Sequence, residues 1–380
     1  MGVALFKCNF MVGVGLFMYT TNRVAFFALL STLIASVQLY NLQAMMTYLE
    51  PGQKIVISVP ATSLWTEPTE SLAPYNPPLL SKDIPTHDSQ LLYGERALVT
   101  DITTRGWVKI IACEQPDFNR STGEWGFCEG WIKANHALPV TEFPKNNVVI
   151  SSLWTFIYNE ASNYAHHIAT YGMGTLLQGV KLDPFWTKIT LLNGSIGYVK
   201  NNDISYLKAI DGNKIRNLLV KRAYALLASP YVWGGRSSFI PWSTDSITSI
   251  DCSSLVDLVY RSCSMNIPRN SHAQFVKATP INPKDLQTGD LVFLKLAEHN
   301  FARVSHVMFY AGHNSFVEAT GMAGVCTTRI VSAQDRFGLP IEEMTQGMKV
   351  CVNGCTFEVY AGSFLSSEER IQTLQQAFKS

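Results

Sequence analysis

The sequence carries little charge, and neither sign predominates. Charged residues make up 16% of the chain, and 30 basic residues against 29 acidic ones give a formal net charge of +1. There is no pronounced run of Lys and Arg, so the charge pattern gives no support for binding to nucleic acid or to an acidic membrane. The cysteines lack both CxxC spacing and accompanying histidines, so no zinc site is predicted.

The first 48 residues hold an excess of apolar side chains. The chain has 380 residues, enough for two or three domains, and begins with two hydrophobic stretches, Val3–Tyr19 and Val24–Tyr40. Arg23, the apolar run after it and the small residues that follow are typical of a secretory signal. Because the first stretch is unusual for such a signal, an uncleaved anchor is the alternative. We therefore predict an exported protein whose residues 1–48 are a signal peptide or a membrane attachment.

Export bears on the eight cysteines, because disulfides persist in oxidising compartments. Cys113 and Cys128 flank a predicted loop and could form a bridge. Cys351 and Cys355 bracket a turn, "VNG", and are a second close pair. Free buried thiols are the alternative for all four.

Residues 55–140 are predicted to form a small β-barrel. Short strand-like runs alternate with turns there, and Gly-Trp pairs mark the corners, as in "GWVKIIAC" and "EGWIK". Residues 148–208 repeat the same order of features, with "GYVK" in the place of "GWIK". This loose repetition predicts two copies of one type of barrel.

The pattern changes at Asp211. In "DGNKIRNLLVKRAYALLAS" the apolar residues recur at helical spacing, and Pro230 ends the predicted helix. Strand-like runs such as "GDLVFLKL", "SHVMFYAG" and "SFVEATG" follow. Helices followed by an antiparallel sheet predict an α+β domain over residues 211–380.

Cys252 lies in "SIDCSSLVDLVYRS", just before an apolar run at helical spacing. A helix N-terminus favours a negative group and can lower the pKa of a thiol, as a nucleophilic thiolate requires. His306, which opens an alternating strand, is the candidate base, and Glu318 on the next strand is the candidate group that orients its ring. Taken singly, each residue has an ordinary structural explanation. His313, in the turn "AGHNS", is the second candidate for the third position.

Together these motifs resemble those of the NlpC-type cell-wall cysteine peptidases, which have a papain-like α+β fold. The segments are "PYVWGG", "DCSSLV", "RNSHAQF", "LQTGDLVFL", "SHVMFYAG" and "FVEATG", and they cover about residues 215–328. The resemblance implies that Cys252 is the nucleophile and His306 the base. It also implies a substrate pocket shaped by four residues near the first two motifs: Tyr231, Trp233, Asp251 and Ser253. Backbone near the cysteine, together with Tyr231, would stabilise an oxyanion.

Two departures from the family pattern affect the site. Residues 236–250 form an insertion that is longer than usual, and we expect a loop at the rim of the cleft. The third catalytic position is often histidine in this family, whereas the motif here places Glu318 there. A carboxylate can orient an imidazole equally well and would raise its basicity.

The N-terminal half resembles the paired bacterial SH3-like domains that precede such peptidases. The similarity rests on "LLYGERALV", "GWVKI" and "GFCEGWIK". In relatives with this layout the first barrel forms one wall of the cleft, and the glutamate of the "LYGE" motif meets the free amino group of an L-Ala-γ-D-Glu stem peptide. The resemblance therefore implies that Glu95 binds substrate, together with Phe127, which lies before a Gly-Trp corner.

The predicted architecture is multidomain, with two small SH3-like barrels followed by a papain-like α+β peptidase domain. The predicted function is that of an exported bacterial endopeptidase, which hydrolyses the bond from γ-D-glutamate to the diamino acid in murein peptides with a free N-terminal L-Ala. The alternatives are a non-catalytic cell-wall binding protein on this scaffold and a cysteine amidase or acyltransferase. The intact pair of Cys252 and His306 argues against the first. No metal or cofactor is expected. The expected partners are murein peptides and not nucleic acid, and we expect a monomer.

Overall fold

The computed structural model describes residues 49–68, 87–103, 106–208, 210, 212–238, 248–297, 303–322, 325–352 and 354–376. The chain divides into the units Met1–Leu49 and Glu50–Ser380, and every element named below lies in the second. The predicted leader, residues 1–48, lies outside the described residues, and so does the middle of the insertion, residues 239–247. Within the described ranges no helix is both long and apolar enough to cross a membrane.

The first sheet has seven antiparallel strands in the order β3-β2-β6-β5-β4-β1-β7. Alternating burial along β4 and β5 shows that one face of the sheet packs inward. The strands are β1 Lys54–Ile57, β2 Ala61–Trp65, β3 His87–Leu92, β4 Arg96–Ile102, β5 Trp107–Asn119, β6 Glu124–Lys133 and β7 Ala137–Pro139.

The second sheet repeats this topology. Its order, β10-β9-β13-β12-β11-β8-β14, is that of the first sheet with every strand number raised by seven. The repeat includes matching turns, since Gly94 N donates to Ile57 O at 2.8 Å and Gly174 N donates to Ile150 O at 2.9 Å. The strands are β8 Val148–Ile150, β9 Trp154–Tyr158, β10 His167–Gly172, β11 Leu176–Lys181, β12 Trp186–Thr190, β13 Ile196–Lys200 and β14 Ile204–Tyr206.

Neither sheet closes into a barrel. Among the described residues β7 does not pair with β3, and β14 does not pair with β10, so both strand paths are open. The edge strands β7 and β14 have only three residues each, too few to complete a ladder around a cylinder. The prediction of closed barrels is therefore wrong, whereas the predicted β-rich repeat is present.

The third region combines helices with a sheet in the order β15-β21-β16-β17-β18-β19, and β20 pairs with β21. Its strands are β15 Thr279–Ile281, β16 Leu291–Leu296, β17 Val304–Gly312, β18 Ser315–Met322, β19 Val325–Ser332, β20 Met348–Val352 and β21 Cys355–Ser363. Its helices are α1 Gly212–Ala225, α2 Cys252–Arg261, α3 Ser271–Lys277, α4 Ala333–Phe337 and α5 Glu368–Gln376. Short 3-10 helices lie at Ala134–His136, Asn201–Asp203, Pro283–Asp285 and Ile341–Glu343.

Helix α2 is the centre of this region, because all ten of its residues are buried. Its apolar side chains Leu255, Val256, Leu258 and Val259 share one hydrophobic core with residues of β16, β17 and β18. Burial of a whole helix also buries its two charged residues, Asp257 and Arg261. Buried charges require partners, and both residues find theirs beyond α2.

The seven described cysteines are all free. Cys351 and Cys355 face Thr356 and Val352 across the β20–β21 hairpin rather than each other. Cys113 lies in β5 and Cys128 in β6, where the strand register is irregular. Of the two alternatives for these residues, free thiols and bridges, the structure has the free thiols.

Candidate active site

Cys252 occupies the first position of α2. Asp251 is the N-cap residue, and its Oδ1 accepts from Ser254 N at 2.8 Å while its own N–H donates to Ser254 Oγ at 2.8 Å. This capping box determines where the helix begins. The Cys252 side chain, in a residue only 5% exposed, therefore lies at the positive end of the helix dipole.

His306 and Glu318 approach Cys252 from the third sheet. His306 Nε2 lies 3.0 Å from Glu318 Oε2, and the imidazole also hydrogen-bonds to Cys252. Since Glu318 engages Nε2, Nδ1 is the ring nitrogen left for the thiol. The structure thus brings the three predicted residues together.

Electrostatics keep this imidazole charged. Burial lowers the pKa of His306, but the hydrogen bonds and charges of Cys252 and Glu318 outweigh it and raise the pKa to about 9. Burial raises the pKa of Glu318, but His306 and the neighbouring arginines lower it to about 2. At neutral pH an imidazolium therefore lies beside the sulfur.

Glu318 has two further cationic partners that the motifs did not reveal. Arg329 donates to Glu318 Oε1 from Nε at 3.0 Å and from Nη2 at 2.8 Å. Arg336 Nε lies 3.2 Å from Oε2, the oxygen that also meets His306. The carboxylate is fully buried and lies in contact with all three cations.

Arg269, in the quoted motif "RNSHAQF", connects the start of α2 to the first sheet. Its two terminal nitrogens bind Asp251 Oδ1 and Oδ2 at 3.1 and 2.9 Å, and Nη1 also donates to Ser253 Oγ at 2.9 Å. Its Nε donates to Ser89 Oγ at 2.8 Å, and its backbone N donates to Pro116 O at 3.0 Å. Asp251 and Ser253 are therefore engaged within the protein, and they shape the site by supporting α2 rather than by offering free polar groups.

Tyr231 lies beside Cys252. Burial and the negative charges of Cys252 and Asp251 raise the pKa of its phenol well above the ordinary value, so the hydroxyl remains a donor. Its ring occupies the space above Gly321, where a Cβ would lie 2.5 Å from Tyr231 Cε1. Gly321 is thus a residue that the motif search overlooked, and it is required for the position of this ring.

The first sheet reaches the "YVWGG" loop through His87 and Asp88. His87 Nδ1 lies 2.8 Å from Trp233 O, and burial lowers the pKa of His87 to about 4, so the ring is neutral. Gly234 adopts φ +77°, and a Cβ there would lie 2.7 Å from His87 O and 3.1 Å from the carbonyl carbon of Asp88. The Trp233 side chain is 40% exposed beside this contact.

Glu95 lies in the interior of the protein, so the structure gives no support to the predicted contact with substrate, which stays a prediction. It is 1% exposed, and its Oε1 binds Arg236 Nη1 at 2.6 Å and Arg261 Nη2 at 3.2 Å. Its Oε2 accepts from Gln115 Nε2 at 3.2 Å. Two arginines of the peptidase region thus occupy the carboxylate that the motif assigned to a substrate ammonium. The insertion explains this pairing. Its first residue, Arg236, is buried, whereas a loop at the rim of the cleft was expected.

Two other residues lie apart from Cys252, His306 and Glu318. Phe127 is 47% exposed in β6, opposite Pro116 of β5, so a contact with substrate remains a prediction. His313 is exposed at a turn with φ +52°, and Glu318 occupies the third position next to His306. No cluster of potential metal ligands occurs among the described residues.

Residues 228–335 match the model of the NlpC/P60 family, the family that the motifs predict. A gamma-D-glutamyl-L-lysine dipeptidyl-peptidase of Bacillus cereus is 24% identical over 292 residues, which is 70% of this chain and 83% of that protein. A protein of the same name from Bacillus subtilis is 26% identical over 227 residues, 59% of this chain and 69% of that protein.

The fold has a counterpart among solved structures. The crystal structure of an NlpC/P60 family protein from Bacillus cereus superposes with a TM-score of 0.60 at 23% identity, and the match covers 82% of this chain and 99% of that one. At this identity the match establishes the fold, which includes the two N-terminal sheets as well as the catalytic region.

Proposed function

We propose that this chain, which carries an NlpC/P60 domain at residues 228–335, is a cysteine peptidase of bacterial cell-wall peptides. The observation that carries the proposal is the group formed by Cys252 at a helix N-terminus, His306 and Glu318. The three residues would act as nucleophile, base and orienting carboxylate, each in contact with the next, as covalent catalysis requires. The names of the two Bacillus relatives support a γ-D-glutamyl bond as the target.

The chemistry would proceed through a thioester. The Cys252 thiolate attacks the γ-carbonyl carbon of D-glutamate, and the negative oxygen meets the Cys252 backbone N–H, which has no intrahelical acceptor, and the Tyr231 hydroxyl. The C–N bond breaks, and His306 transfers its proton to the leaving amine. Water then attacks the thioester while His306 accepts its proton, the C–S bond breaks, and the acid product leaves with regeneration of the Cys252 thiolate and the His306 imidazolium.

We further propose that Asp88 takes the role that the motif assigned to Glu95. Asp88 lies next to the Trp233–Gly234 turn, and in the described part of the chain neither Asp88 nor Asp117 has an ion-pair partner. Burial and the charges of Asp117 and Asp251 raise the pKa of Asp88, against the opposing effect of Arg269. A substrate ammonium would relieve this repulsion, which favours peptides with a free N-terminal L-Ala.

The remaining parts of the proposal concern organisation. We retain residues 55–140 and 148–208 as two units of SH3-like ancestry, supported by their identical strand order, and residues 211–380 as the peptidase domain. We also propose that the protein acts outside the cytoplasm, in the cell envelope, with residues 1–48 as a signal or anchor. A cell-wall substrate and the hydrophobic leader both support this location.

Mass spectrometry of defined muropeptides after incubation with the purified protein tests the activity. We expect release of L-Ala-γ-D-Glu from L-Ala-γ-D-Glu-diaminopimelate, and a rate loss of at least ~10³ in Cys252→Ala and in His306→Ala, because members of a nucleophile–base unit act together. The value of kcat/KM should fall as pH rises through about 9, where the His306 imidazolium loses its proton.

Folded Cys252→Ala protein that retains normal turnover would contradict the cysteine mechanism. Binding of muropeptides without any cleavage would favour the non-catalytic alternative. Transfer of the acyl group to an added amine in preference to water would instead indicate an acyltransferase.

A further inference from the structure

The surroundings of Glu318 are unusual for a residue whose task is to orient a histidine. An isolated buried carboxylate next to an imidazole strongly favours the imidazolium. Here the carboxylate also has Arg329 on Oε1 and Arg336 on Oε2, at distances of 2.8 to 3.2 Å. Two full positive charges therefore compete with His306 for one negative charge.

The backbone holds both arginines in place. Arg329 lies directly opposite Glu318 in the β18–β19 register, where oppositely charged side chains stabilise each other. Arg336 projects from α4, the helix that starts at the Ser332 N-cap just beyond β19. Its side chain is only 7% exposed, against 32% for Arg329. Arg336 is therefore the partner that water screens least.

We propose that Arg329 and Arg336 are positioning residues that hold Glu318 against His306. Their positive charges also partly neutralise the negative charge that Glu318 presents to the imidazole. Their effect is to let a glutamate occupy a place where relatives often have an uncharged partner, while limiting the extra stabilisation that its charge gives to the His306 imidazolium. The inference deepens the proposed cysteine-peptidase function and rests on it. A purely structural alternative assigns the arginines only to neutralising a buried carboxylate.

Other charges near His306 must remain constant in a test. Cys252 contacts the ring from α2, and Tyr231 and Arg303 lie close enough to the sulfur for their titration to respond to it. The pair of Asp251 and Arg269 lies at the start of α2. Substitutions at Arg329 and Arg336 leave all five of these residues unchanged.

The first experiment follows activity against pH. Arg336→Met should move the basic limb of kcat/KM upward by roughly 0.5–1 pH unit, the lower part of the range for a neighbouring charge, whereas Arg336→Lys should restore most of the wild-type profile. Arg329→Met should move it in the same direction but less, because Arg329 binds the far oxygen and is more exposed. The matched control is Arg370→Met, which removes a half-buried arginine of α5 whose guanidinium lies over the Phe364 ring, and it should leave the profile in place.

The second experiment does not need activity. In protein that carries Cys252→Ala, an NMR titration of the His306 ring protons should show the same upward shift when Arg336→Met is added. An unchanged titration and pH profile, with only a lower Tm, would overturn the proposal in favour of the structural alternative. Absence of peptide cleavage with a shifted titration would instead contradict the proposed function and leave the role of the arginines intact.

Discussion

The two β-sheets have the same strand order, yet they contribute different chemistry to the peptidase region. The clearest difference is at one equivalent turn. Glu95 N donates to Leu92 O at 3.0 Å, and Thr175 N donates to Gly172 O at 3.2 Å. The carboxylate of Glu95 binds two arginines, whereas the buried hydroxyl of Thr175 has no partner among the described residues. The backbone turn at Glu95 is thus an ionic joint, whereas the equivalent turn at Thr175 has no ion pair among the described residues.

A single residue of α2 meets both turns. Arg261 Nη2 binds Glu95 Oε1 at 3.2 Å and Glu114 Oε2 at 2.6 Å in the first sheet, and Nε donates to Gly174 O at 2.8 Å in the second. The helix that carries Cys252 is therefore attached to both sheets. Only the attachment to the first sheet pairs Arg261 with carboxylates.

Length separates the sheets as well. The β5–β6 hairpin has strands of 13 and 10 residues, whereas the corresponding β12 and β13 have five each. The extra length brings Glu114 to Arg261, Pro116 to Arg269, and Phe118 to within 6.2 Å of the His272 ring. A repeated scaffold has thus acquired a site-building role in one copy through a longer hairpin and a few charged side chains.

The largest expected effect comes from breaking the ionic joint. Glu95→Gln should lower the free energy of unfolding by about 3 kcal/mol, the low end of the range for a broken buried ion pair, because Arg236 and Arg261 lose this partner but keep Asp257 and Glu114. Urea unfolding at neutral pH measures the change.

The second sheet supplies the matched control for this change. Thr175→Val keeps the shape of the side chain and removes a hydroxyl that has no partner, so its effect should be near zero. Equal losses in Glu95→Gln and Thr175→Val would mean that the two turns do not differ in the way described.

A smaller effect is expected on substrate choice. Asp88→Asn should reduce the preference for L-Ala-γ-D-Glu-diaminopimelate over its N-acetylated form by about 10–150-fold, which corresponds to about 1.5–3 kcal/mol for a lost charge-assisted contact. The ratio of kcat/KM for the two peptides measures it. The control is Ile168→Ala in the second sheet. In sequence Ile168 precedes Gly172 by as many residues as Asp88 precedes Leu92, and this variant should keep the preference. A preference that survives Asp88→Asn but disappears in folded Glu95→Gln would restore the original assignment.

The grouping of Cys252, His306 and Glu318 could be predicted because its signals are local. The pattern around Asp251 and Ser254 marks a helix start, and the alternation around His306 marks a strand. Arg329 could also have been predicted as the cross-strand partner of Glu318, because a tight hairpin after Glu318 determines which residue lies opposite. The environment of Glu95 was not, because its ion pair with Arg236 joins residues 141 positions apart, and only the packing of the first sheet on α2 brings them together.

The smallest predicted effect is a pH dependence of stability that Glu114 contributes in the first sheet and that has no counterpart at Thr175 of the second sheet. Burial raises the pKa of Glu114, but the charges of Arg261 and Arg96 outweigh it and hold the pKa below the ordinary value of 4.5. A carboxyl with a lowered pKa in the folded state contributes stability that is complete above its unfolded pKa and is lost as pH falls through the folded pKa. The wild-type protein should therefore lose stability from about pH 4.5 downward, and Glu114→Gln, although less stable at pH 7, should lose less over the same interval. Thr175→Val removes no titrating group and should follow the wild-type curve. Urea midpoints at pH 7, 4.5 and 3.5 for the three proteins decide the matter, and a Glu114→Gln curve parallel to the wild type would show that Glu114 contributes nothing to the acid limit.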